Sequence, residues 1–450
     1  GCKRCEVDMR GVIAPGGAKT RCFSHIVREM ARASLLVAHR SELVYQASSA
    51  LAMNGVVHSV IAPDAVTRFI RQHHLAEFGR CYVDTTSLNA VAGVDTVVAR
   101  MGELRQRLER FELIVTDEAH HQEKGNKWGN VREACVNALG LGVTATPYRA
   151  DGKGLGRHAS GFHDDMIVGR TMGELIADGS LSPYKIYAPV SHLRLDKLKA
   201  GAAGDYSKAQ LKEAAQDSGI VGDVVANYLK LARGKLGLTF VTDMETAHAT
   251  VAAYNAAGVP AALITGKTSS SERARIMRQF KRRELMQLVN IDVLGEGTDV
   301  PAVEVVSMAR PTASLGLFLQ QFGRALRKAV GKTHAIIIDH ASNTMRHGLP
   351  DTHRVYTLDN RERKASMQAD DVMPTRTCLE CLSVYQLPAK VCPECGALHV
   401  PPDRSAPEHV DGDLTELTED LLHILRGGKD AIDLDMLSRE SQLKQQGLSG

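Results

Sequence analysis

Short apolar runs alternate along this chain with longer stretches whose apolar residues recur at helical spacing. The runs with the length and composition of buried strands are residues 34–38, 112–117, 139–143, 238–241, 261–265, 303–309 and 334–339. Strands that alternate with amphipathic helices are typical of parallel sheets covered by helices. The pattern therefore predicts an α/β fold.

The pattern also predicts how the chain divides. Two α/β blocks, residues 1–180 and 181–348, meet in the turn-rich stretch DGSLSPYKIYAPV. Residues 349–376 are expected to be a charged linker, 377–397 hold two cysteine pairs, and 398–450 combine a proline-rich linker with an acidic tail. In that tail, Leu414, Leu417, Leu421 and Ile424 share one helical face, which predicts a docking amphipathic helix.

Composition narrows the class of protein. The 450 residues leave room for two or three domains, and 44% hydrophobic residues are ordinary for a protein with real cores. No apolar run approaches the roughly 20 residues of a membrane span, and no apolar signal core is seen, so a cytosolic location (bacterial or phage-infected cell) is expected. A net charge of +3 is too small to argue for nucleic acid by itself.

A candidate phosphate-binding loop lies in VIAPGGAKTRCF, residues 12–23. In G-x-x-x-x-G-K-[ST], backbone N–H groups surround the phosphates, Lys contacts the terminal phosphates and Ser or Thr binds Mg²⁺. The residues available for these roles are Gly16, Gly17, Lys19 and Thr20. Ile13 and Ala18 replace the two pattern glycines. The loop looks one residue short, and a plain strand-to-helix turn is an equal alternative.

Two carboxylates end the strand in ELIVTDEAHH. Ligands of open α/β sheets bind at the carboxyl ends of the strands. Asp117 could hold Mg²⁺ through its water shell, and Glu118 could orient and deprotonate a water that attacks the γ-phosphate. The alternative is a pair of exposed acids, but Ala119 and His120 complete D-E-A-H, and the candidate loop lies upstream.

Together these motifs resemble a superfamily 2 helicase or translocase of the DEAH type, similar to phage and bacterial relatives of the type III restriction helicase subunit. The resemblance covers residues 11–348 in motif order and implies two tandem RecA-like parallel-sheet domains that bind ATP and Mg²⁺ in the cleft between them. It also implies nucleic acid as partner, with DNA favoured over RNA.

The resemblance assigns strand-contacting residues in the first block. LVAHRSELVYQ places His39 and Arg40 in this role, for which surface charge is the alternative. YVDTTSLNA offers Thr86 and Ser87 as phosphate donors, for which a helix N-cap is an equal alternative. GVTATPYRADG resembles the motif that couples hydrolysis to strand binding, with Thr144 and Thr146 acting on the acidic motif and His120.

The second block carries three matching stretches. Ser269 and Glu272 predict a capping box for a helix whose Arg273, Arg275 and Arg278 are expected to form a solvated face. VNIDVLGEGTDVP matches the family in Glu296, Gly297 and Asp299, with Ile291 where relatives have Thr.

QQFGRALR is the most specific of the three stretches and fits Q-x-x-G-R-x-x-R. The resemblance implies that Gln320 contacts the nucleotide. Arg324 and Arg327 are expected to share one helical face and to contact the transferred phosphoryl group. The alternative is a basic helix facing solvent.

The cysteines predict a metal site. Cys378, Cys381, Cys392 and Cys395 form two C-x₂-C pairs that can close a structural Cys₄ zinc ribbon, as expected for a reducing compartment. Cys2 and Cys5 form a third pair without a partner pair and are read as free thiols. A nuclease, replication or repair partner could contact the ribbon or the tail.

The function expected from the sequence is ATP-dependent helicase or translocase activity on DNA. From the resemblance, the family's glutamine-bearing segment upstream of the phosphate loop is expected to be absent or to lie outside this chain. The alternatives are a nucleic-acid-binding protein that keeps the fold without turnover, and the motor subunit of a nuclease system.

Overall fold

The computed structural model describes two parallel sheets and a small ribbon. The described residues are 8–15, 19–147, 154–188, 198, 201, 205–216, 220–291, 303–352, 354, 356–359, 375–378, 380–386 and 389–398. No helix in these ranges is both long and apolar enough to cross a membrane. The tail helix expected at 414–424, together with Cys2 and Cys5, lies outside them.

The first sheet has seven parallel strands. They are β1 (Met9–Val12), β2 (Ser34–Ala38), β3 (Ser59–Ile61), β4 (Ala90–Gly93), β5 (Leu113–Asp117), β6 (Leu139–Thr144) and β7 (Asp165–Val168), in the order β3-β4-β2-β5-β6-β1-β7. The helices are α1 (Lys19–Met30), α2 (Ser41–Met53), α3 (Asp64–Phe78), α4 (Val94–Ala99), α5 (Met101–Leu108) and α6 (Lys127–Ala134).

Helices cover both faces of this sheet, which explains why its central strands are apolar throughout. Phe23 and Leu51 belong to one buried cluster, and Leu108 and Trp128 belong to another. All five residues of β2 and of β5 are buried. A strand buried on both faces loses the alternation of polar and apolar residues, as the sequence runs predicted.

The second sheet has six parallel strands. They are β8 (Tyr184–Tyr187), β9 (Gly237–Phe240), β10 (Ala261–Ile264), β11 (Gln287–Asn290), β12 (Val305–Met308) and β13 (Ala335–Asp339), in the order β10-β11-β9-β12-β13-β8. The helices of this part are α7 (Met172–Ala177), α8 (Lys208–Gln216), α9 (Ile220–Ala232), α10 (Met244–Ala256), α11 (Ser270–Lys281), α12 (Leu315–Gly323) and α13 (Asn343–His347).

The two sheets divide the chain slightly earlier than residue 180. Strand β7 pairs with β1 in the first sheet, whereas Met172 of α7 is buried in the core of the second sheet. The parallel sheets and all seven strands predicted from apolar runs are confirmed. We call the part up to β7 the first domain and the part from α7 to α13 the second domain.

The cysteine segment forms an antiparallel ribbon, β14 (Thr375–Thr377) and β15 (Val384–Gln386). It lies against the β8 edge of the second sheet. The Ala188 N–H donates to the Leu382 carbonyl at 3.1 Å, Lys185 pairs with Glu394, and Val384 is buried in the core of the second domain. The ribbon therefore covers an edge strand that would otherwise expose unpaired backbone groups.

Candidate functional site

Two acidic side chains meet at the carboxyl end of β5. Asp117 and Glu118 are 7% and 6% exposed. Burial raises the pKa of the Asp117 carboxyl, although the Lys19 ammonium acts in the opposite direction. Glu118 has left-handed backbone angles, φ 51° and ψ 48°, which are unfavourable for a residue with a side chain. Strained residues of this kind cluster at functional sites.

Lys19 joins these carboxylates from the first helix. Its Nζ lies 3.5 Å from Asp117 Oδ1 and donates to Glu118 Oε1. Thr20 and Asp117 line the same small pocket beneath α1. A lysine, a threonine hydroxyl and two acids thus converge at the ends of β1 and β5, as the sequence predicted.

The loop before Lys19 differs from the expectation in one respect. Strand β1 ends at Val12 and α1 begins at Lys19, so six residues separate them. The pattern G-x-x-x-x-G also supplies six, so the prediction of a loop one residue short is wrong. Its composition is unusual rather than its length. Gly16 and Gly17 lie outside the described residues, as do Glu296, Gly297 and Asp299.

A chain of polar contacts leads away from Glu118. Its Oε2 accepts no hydrogen bond among the described residues, and His120 Nδ1 lies 3.5 Å away. His120 Nδ1 is 3.0 Å from Thr144 Oγ1, and the Thr146 N–H donates to the same hydroxyl at 3.1 Å. Thr144 and Thr146 are buried. The structure therefore brings together the three residues predicted to couple hydrolysis to strand binding.

Helix α12 of the second domain packs on the first domain at two points. A Cβ atom on Gly316 would lie 3.2 Å from Thr146 Oγ1, and one on Gly323 would lie 2.6 Å from Pro15 Cβ. A contact below 3 Å leaves no room for a side chain at position 323. Arg324, next in the chain, therefore begins beside the phosphate loop.

The two arginines of this motif do not share a helical face, contrary to the prediction. Helix α12 ends at Gly323, and Arg324 is its C-cap. The Leu326 N–H donates to the Gly323 carbonyl, and Lys332 Nζ donates to the Arg327 carbonyl at 2.8 Å. These contacts turn the chain. Gln320, Arg324 and Arg327 are each partly exposed, so the alternative of a solvent-facing basic helix fits poorly with the packing of α12 on Pro15.

The predicted strand-contacting residues have different surroundings. The His39 ring lies 6.0 Å from the His121 ring and 6.2 Å from the Trp128 ring, so it packs inward rather than adding surface charge. Arg40 is partly exposed at the N-cap of α2. Thr86 Oγ1 donates to Asp84 Oδ1 and Ser87 Oγ donates to the Val57 carbonyl. Neither is a helix N-cap, because β4 follows.

One arginine of α11 reaches the first domain. Arg273 pairs with Glu42 of α2 and donates to the Thr265 carbonyl at 3.3 Å. The prediction that Arg273 belongs to a solvated face is therefore wrong. Arg275 and Arg278 are exposed, as predicted. The Ser269 hydroxyl accepts a hydrogen bond from the Glu272 N–H at 3.3 Å, which confirms the first of the two bonds of the predicted capping box.

Sequence reasoning missed two residues that hold the acidic motif. Arg10, fully buried in β1, donates to the Ala119 carbonyl at 2.9 Å and lies 3.0 Å from His163 Nδ1. Burial lowers the pKa of His163 well below its usual range, so its ring stays neutral beside the guanidinium. The sequence offered one signal for this contact, the charged Arg10 within the short strand β1.

The four cysteines converge. Their sulfur atoms all lie within 4.8 Å of one another, with Cys378 and Cys395 at 3.6 Å and Cys381 and Cys392 at 3.7 Å. A tetrahedral site with Zn–S bonds of about 2.3 Å would place its sulfurs about 3.8 Å apart. The donor set and its spacing fit such an ion.

Comparisons with known proteins agree with this geometry. Residues 9–149 match the family "Type III restriction enzyme, res subunit", and residues 221–329 match "Helicase conserved C-terminal domain". A Lactococcus phage protein named only "51.5 kDa protein" is 31% identical over 378 residues, which are 83% of this chain and 74% of that one. The Saccharomyces cerevisiae "Putative ATP-dependent helicase IRC3" is 28% identical over 75% of this chain and 48% of its own length.

A structural comparison supports the same fold. A "putative HsdR subunit of a type I restriction enzyme" from Vibrio vulnificus superimposes with a TM-score of 0.53 at 18% identity, over 77% of this chain and 62% of that one. The chain spans about half the length of the yeast relative. The motifs, the two sheets and these matches show that the chain belongs to the superfamily 2 helicases, which are ATP-dependent enzymes acting on nucleic acid.

Proposed function

We propose that the chain is a DNA-stimulated ATPase that moves along a nucleic-acid strand by opening and closing its two domains. The observation that carries this proposal is the packing of α12. Its ends touch Thr146 and Pro15, so one helix of the second domain contacts both the coupling motif and the phosphate loop. A change at either contact alters the position of the whole helix.

The first domain supplies the groups that hold the nucleotide. We assign phosphate binding to Lys19 and Mg²⁺ binding to Thr20 and Asp117, because the buried carboxylate of Asp117 is a ligand that Mg²⁺ prefers. Lys19 now lies between two carboxylates, which mark a site suited to positive charge. Bound Mg²⁺ would supply charge neutralisation at the transferred phosphoryl group.

Glu118 is the proposed general base. Its Oε2 is buried and accepts no hydrogen bond among the described residues, and a buried acceptor of this kind needs a partner, for which we propose the attacking water. His120 orients the carboxylate from one side and Lys19 from the other. A base held in this way removes a proton from an attacking water without first reorganising.

Arg324 is the proposed charge stabiliser from the second domain, with Gln320 and Arg327 as further contacts. It follows a glycine whose missing side chain lets α12 approach Pro15. Closure of the domains would bring its guanidinium to developing negative charge, and opening would remove it.

The coupling route is a continuous set of contacts. It runs from Glu118 through His120, Thr144 and Thr146 to Gly316 of α12. His39 packs on His121 and so connects the start of α2 to the same motif. We propose that Arg40, Thr86 and Ser87 contact the strand, which would make binding steeply salt-dependent and nearly sequence-independent.

Three finer assignments rest on the same reasoning. The match to a restriction-enzyme family favours DNA over RNA and a nuclease as a partner. We assign a structural Zn²⁺ to Cys378, Cys381, Cys392 and Cys395, because a closed four-thiolate site leaves no open position for catalysis. Such an ion would fix the ribbon against β8.

A second candidate function is nucleic-acid binding without turnover. It is favoured by Ile13 and Ala18, which replace the two glycines of the phosphate-loop pattern. A side chain at either position restricts the backbone that has to surround the phosphates.

ATP hydrolysis with and without single-stranded DNA separates these candidates. The variant Lys19→Ala tests the phosphate loop, and Lys127→Ala, an exposed lysine paired with Asp95, is the matched control. Turnover that rises with DNA, is lost in Lys19→Ala and persists in Lys127→Ala supports the motor. DNA binding without turnover in the wild type overturns it in favour of the second candidate.

A further inference from the structure

Three aromatic rings form a partly exposed surface where α2 meets α3. We call Tyr45, Phe69 and His73 the aromatic platform. Phe69 is 53% exposed, which is unusual for a large apolar ring, while Tyr45 and His73 are half-buried. The platform lies outside the nucleotide site described above.

The platform is held in one arrangement. The Phe69 and His73 ring planes are within 18° of parallel, with centroids 6.4 Å apart, and Tyr45 meets both edge-on at 5.3 and 4.7 Å. The Tyr45 hydroxyl lies 2.8 Å from His73 Nε2. On the adjacent face of α3, Ile70 and His74 are fully buried and fix the helix. Rings fixed in this way lose little freedom when a flat ligand binds.

The chemistry around the platform suits an anionic chain. Arg68, next to Phe69 in the chain, is exposed on the same helix. Lys281 of α11 lies near enough to lower the pKa of His73, whereas Glu77 raises it more strongly. Burial lowers the pKa of His73, so at neutral pH its ring is uncharged. The platform thus offers uncharged ring faces with cationic side chains near it.

Its position connects it to the proposed strand path. Tyr45 is on the second turn of α2, five residues beyond Arg40 at the N-cap, which is about 7.5 Å along the axis. The ion pair between Glu42 and Arg273 brings the second domain to the same end of α2. A strand that touches Arg40 and continues along α2 would reach the platform.

We propose that the aromatic platform stacks an unpaired base of a single-stranded nucleic acid that follows the start of α2. This rests on the proposed function, because it requires a strand on that surface. Every base has a flat face, so the contact favours single strands without reading sequence. A strand held at one base during domain movement would slip less than one held by phosphates alone.

Binding of a short fluorescein-labelled single-stranded DNA to the full chain tests the proposal. We expect Phe69→Ala to weaken binding about tenfold, Phe69→Trp to bind at least as tightly as the wild type, and Leu75→Ala, also exposed on α3, to change nothing. The dependence of binding on salt should stay the same in Phe69→Ala, because no phosphate contact is lost. Unchanged thermal midpoints establish that the variants are folded.

Several results would overturn the platform. These are wild-type affinity in Phe69→Ala, an equal loss in Leu75→Ala, an equal loss for duplex DNA, or no binding of single strands at all. Hydrolysis separates this inference from the proposed function. DNA-stimulated turnover with wild-type affinity in Phe69→Ala overturns the platform alone, whereas Phe69-dependent binding without turnover overturns the motor alone.

Discussion

Two strands of this molecule end in a buried aspartate, and the two aspartates have different surroundings. β5 reads LIVTD and β13 reads AIIID, and burial raises the pKa of both Asp117 and Asp339. Asp117 faces Lys19 and another acid. Asp339 accepts from the backbone N–H groups of Ala341 and Thr344 and from the Thr344 hydroxyl.

The difference between them lies in their partners. Backbone N–H groups cannot leave, so the carboxylate of Asp339 is committed to the turn into α13. A lysine side chain can move to another anion, so the carboxylate of Asp117 can exchange Lys19 for a bound cation. Burial of an acid at a strand end therefore does not identify a reacting group, and we propose that an exchangeable partner distinguishes Asp117 from Asp339.

The largest effect expected from this comparison concerns Arg324, the arginine proposed to act at the β5 site. Arg324→Ala should lower ATP turnover by about 10³-fold or more, because an arginine that stabilises phosphoryl charge contributes about 10³ to 10⁵. Arg346→Ala, near the end of β13, removes a contact with the Tyr206 ring and should leave turnover unchanged. Steady-state hydrolysis at saturating ATP measures the turnover of both variants. Equal rates in the two variants would contradict the proposed difference between the ends of β5 and β13.

Glu118→Gln should lower turnover about 10² to 10⁴-fold, the range of general-base catalysis, while ATP still binds. The amide keeps the shape of the side chain but cannot take up the proton. Single-turnover hydrolysis together with binding of a fluorescent ATP analogue separates the two steps. A variant that hydrolyses ATP at the wild-type rate would show that another group activates the water.

Thr344→Val should destabilise the second domain by about 1 to 3 kcal/mol, because it removes a buried hydroxyl that donates to Asp339 Oδ2 at 2.7 Å. Thr333→Val changes an exposed threonine before β13 and is the control. The measurement is the denaturant midpoint. If Thr344→Val lost turnover without losing stability, the result would indicate that the end of β13 takes part in the reaction.

Much of this arrangement was predictable from the sequence, and the rest depends on long-range contacts. Apolar runs located seven strands, and the cysteine spacing located the ribbon. The strands LIVTD and AIIID have the same apolar pattern, and only the D-E-A-H motif after LIVTD set Asp117 apart. The pairing of Asp117 with Lys19 joins residues 98 positions apart and leaves no local signal. Arg10 and Ala119 are 109 positions apart, so their bond leaves no local signal.

Acid should weaken both domains by an amount similar to that of Thr344→Val in each domain. The pKa values of His58 and His340 are lowered by burial to about 4, one in each domain. The unfolded chain takes up these protons near pH 6.5 and the folded protein near pH 4, so stability is full above that window and falls as pH drops through it. The loss is about 2 kcal/mol for each histidine by pH 5.

The raised pKa of Asp339 acts in the opposite direction, because the folded state takes up that proton first. Thermal midpoints at pH 7.5 and pH 5 measure the balance. A midpoint that is equal or higher at pH 5 would show that the carboxylates outweigh the histidines.

The most direct test of the account compares Asp117→Asn with Asp339→Asn in DNA-stimulated ATP hydrolysis and thermal unfolding. We expect Asp117→Asn to abolish turnover with a midpoint near that of the wild type, and Asp339→Asn to lower the midpoint while the folded fraction still hydrolyses ATP. Turnover that survives in Asp117→Asn, or that is lost in a fully folded Asp339→Asn, would contradict the assignment of the reacting site to the end of β5.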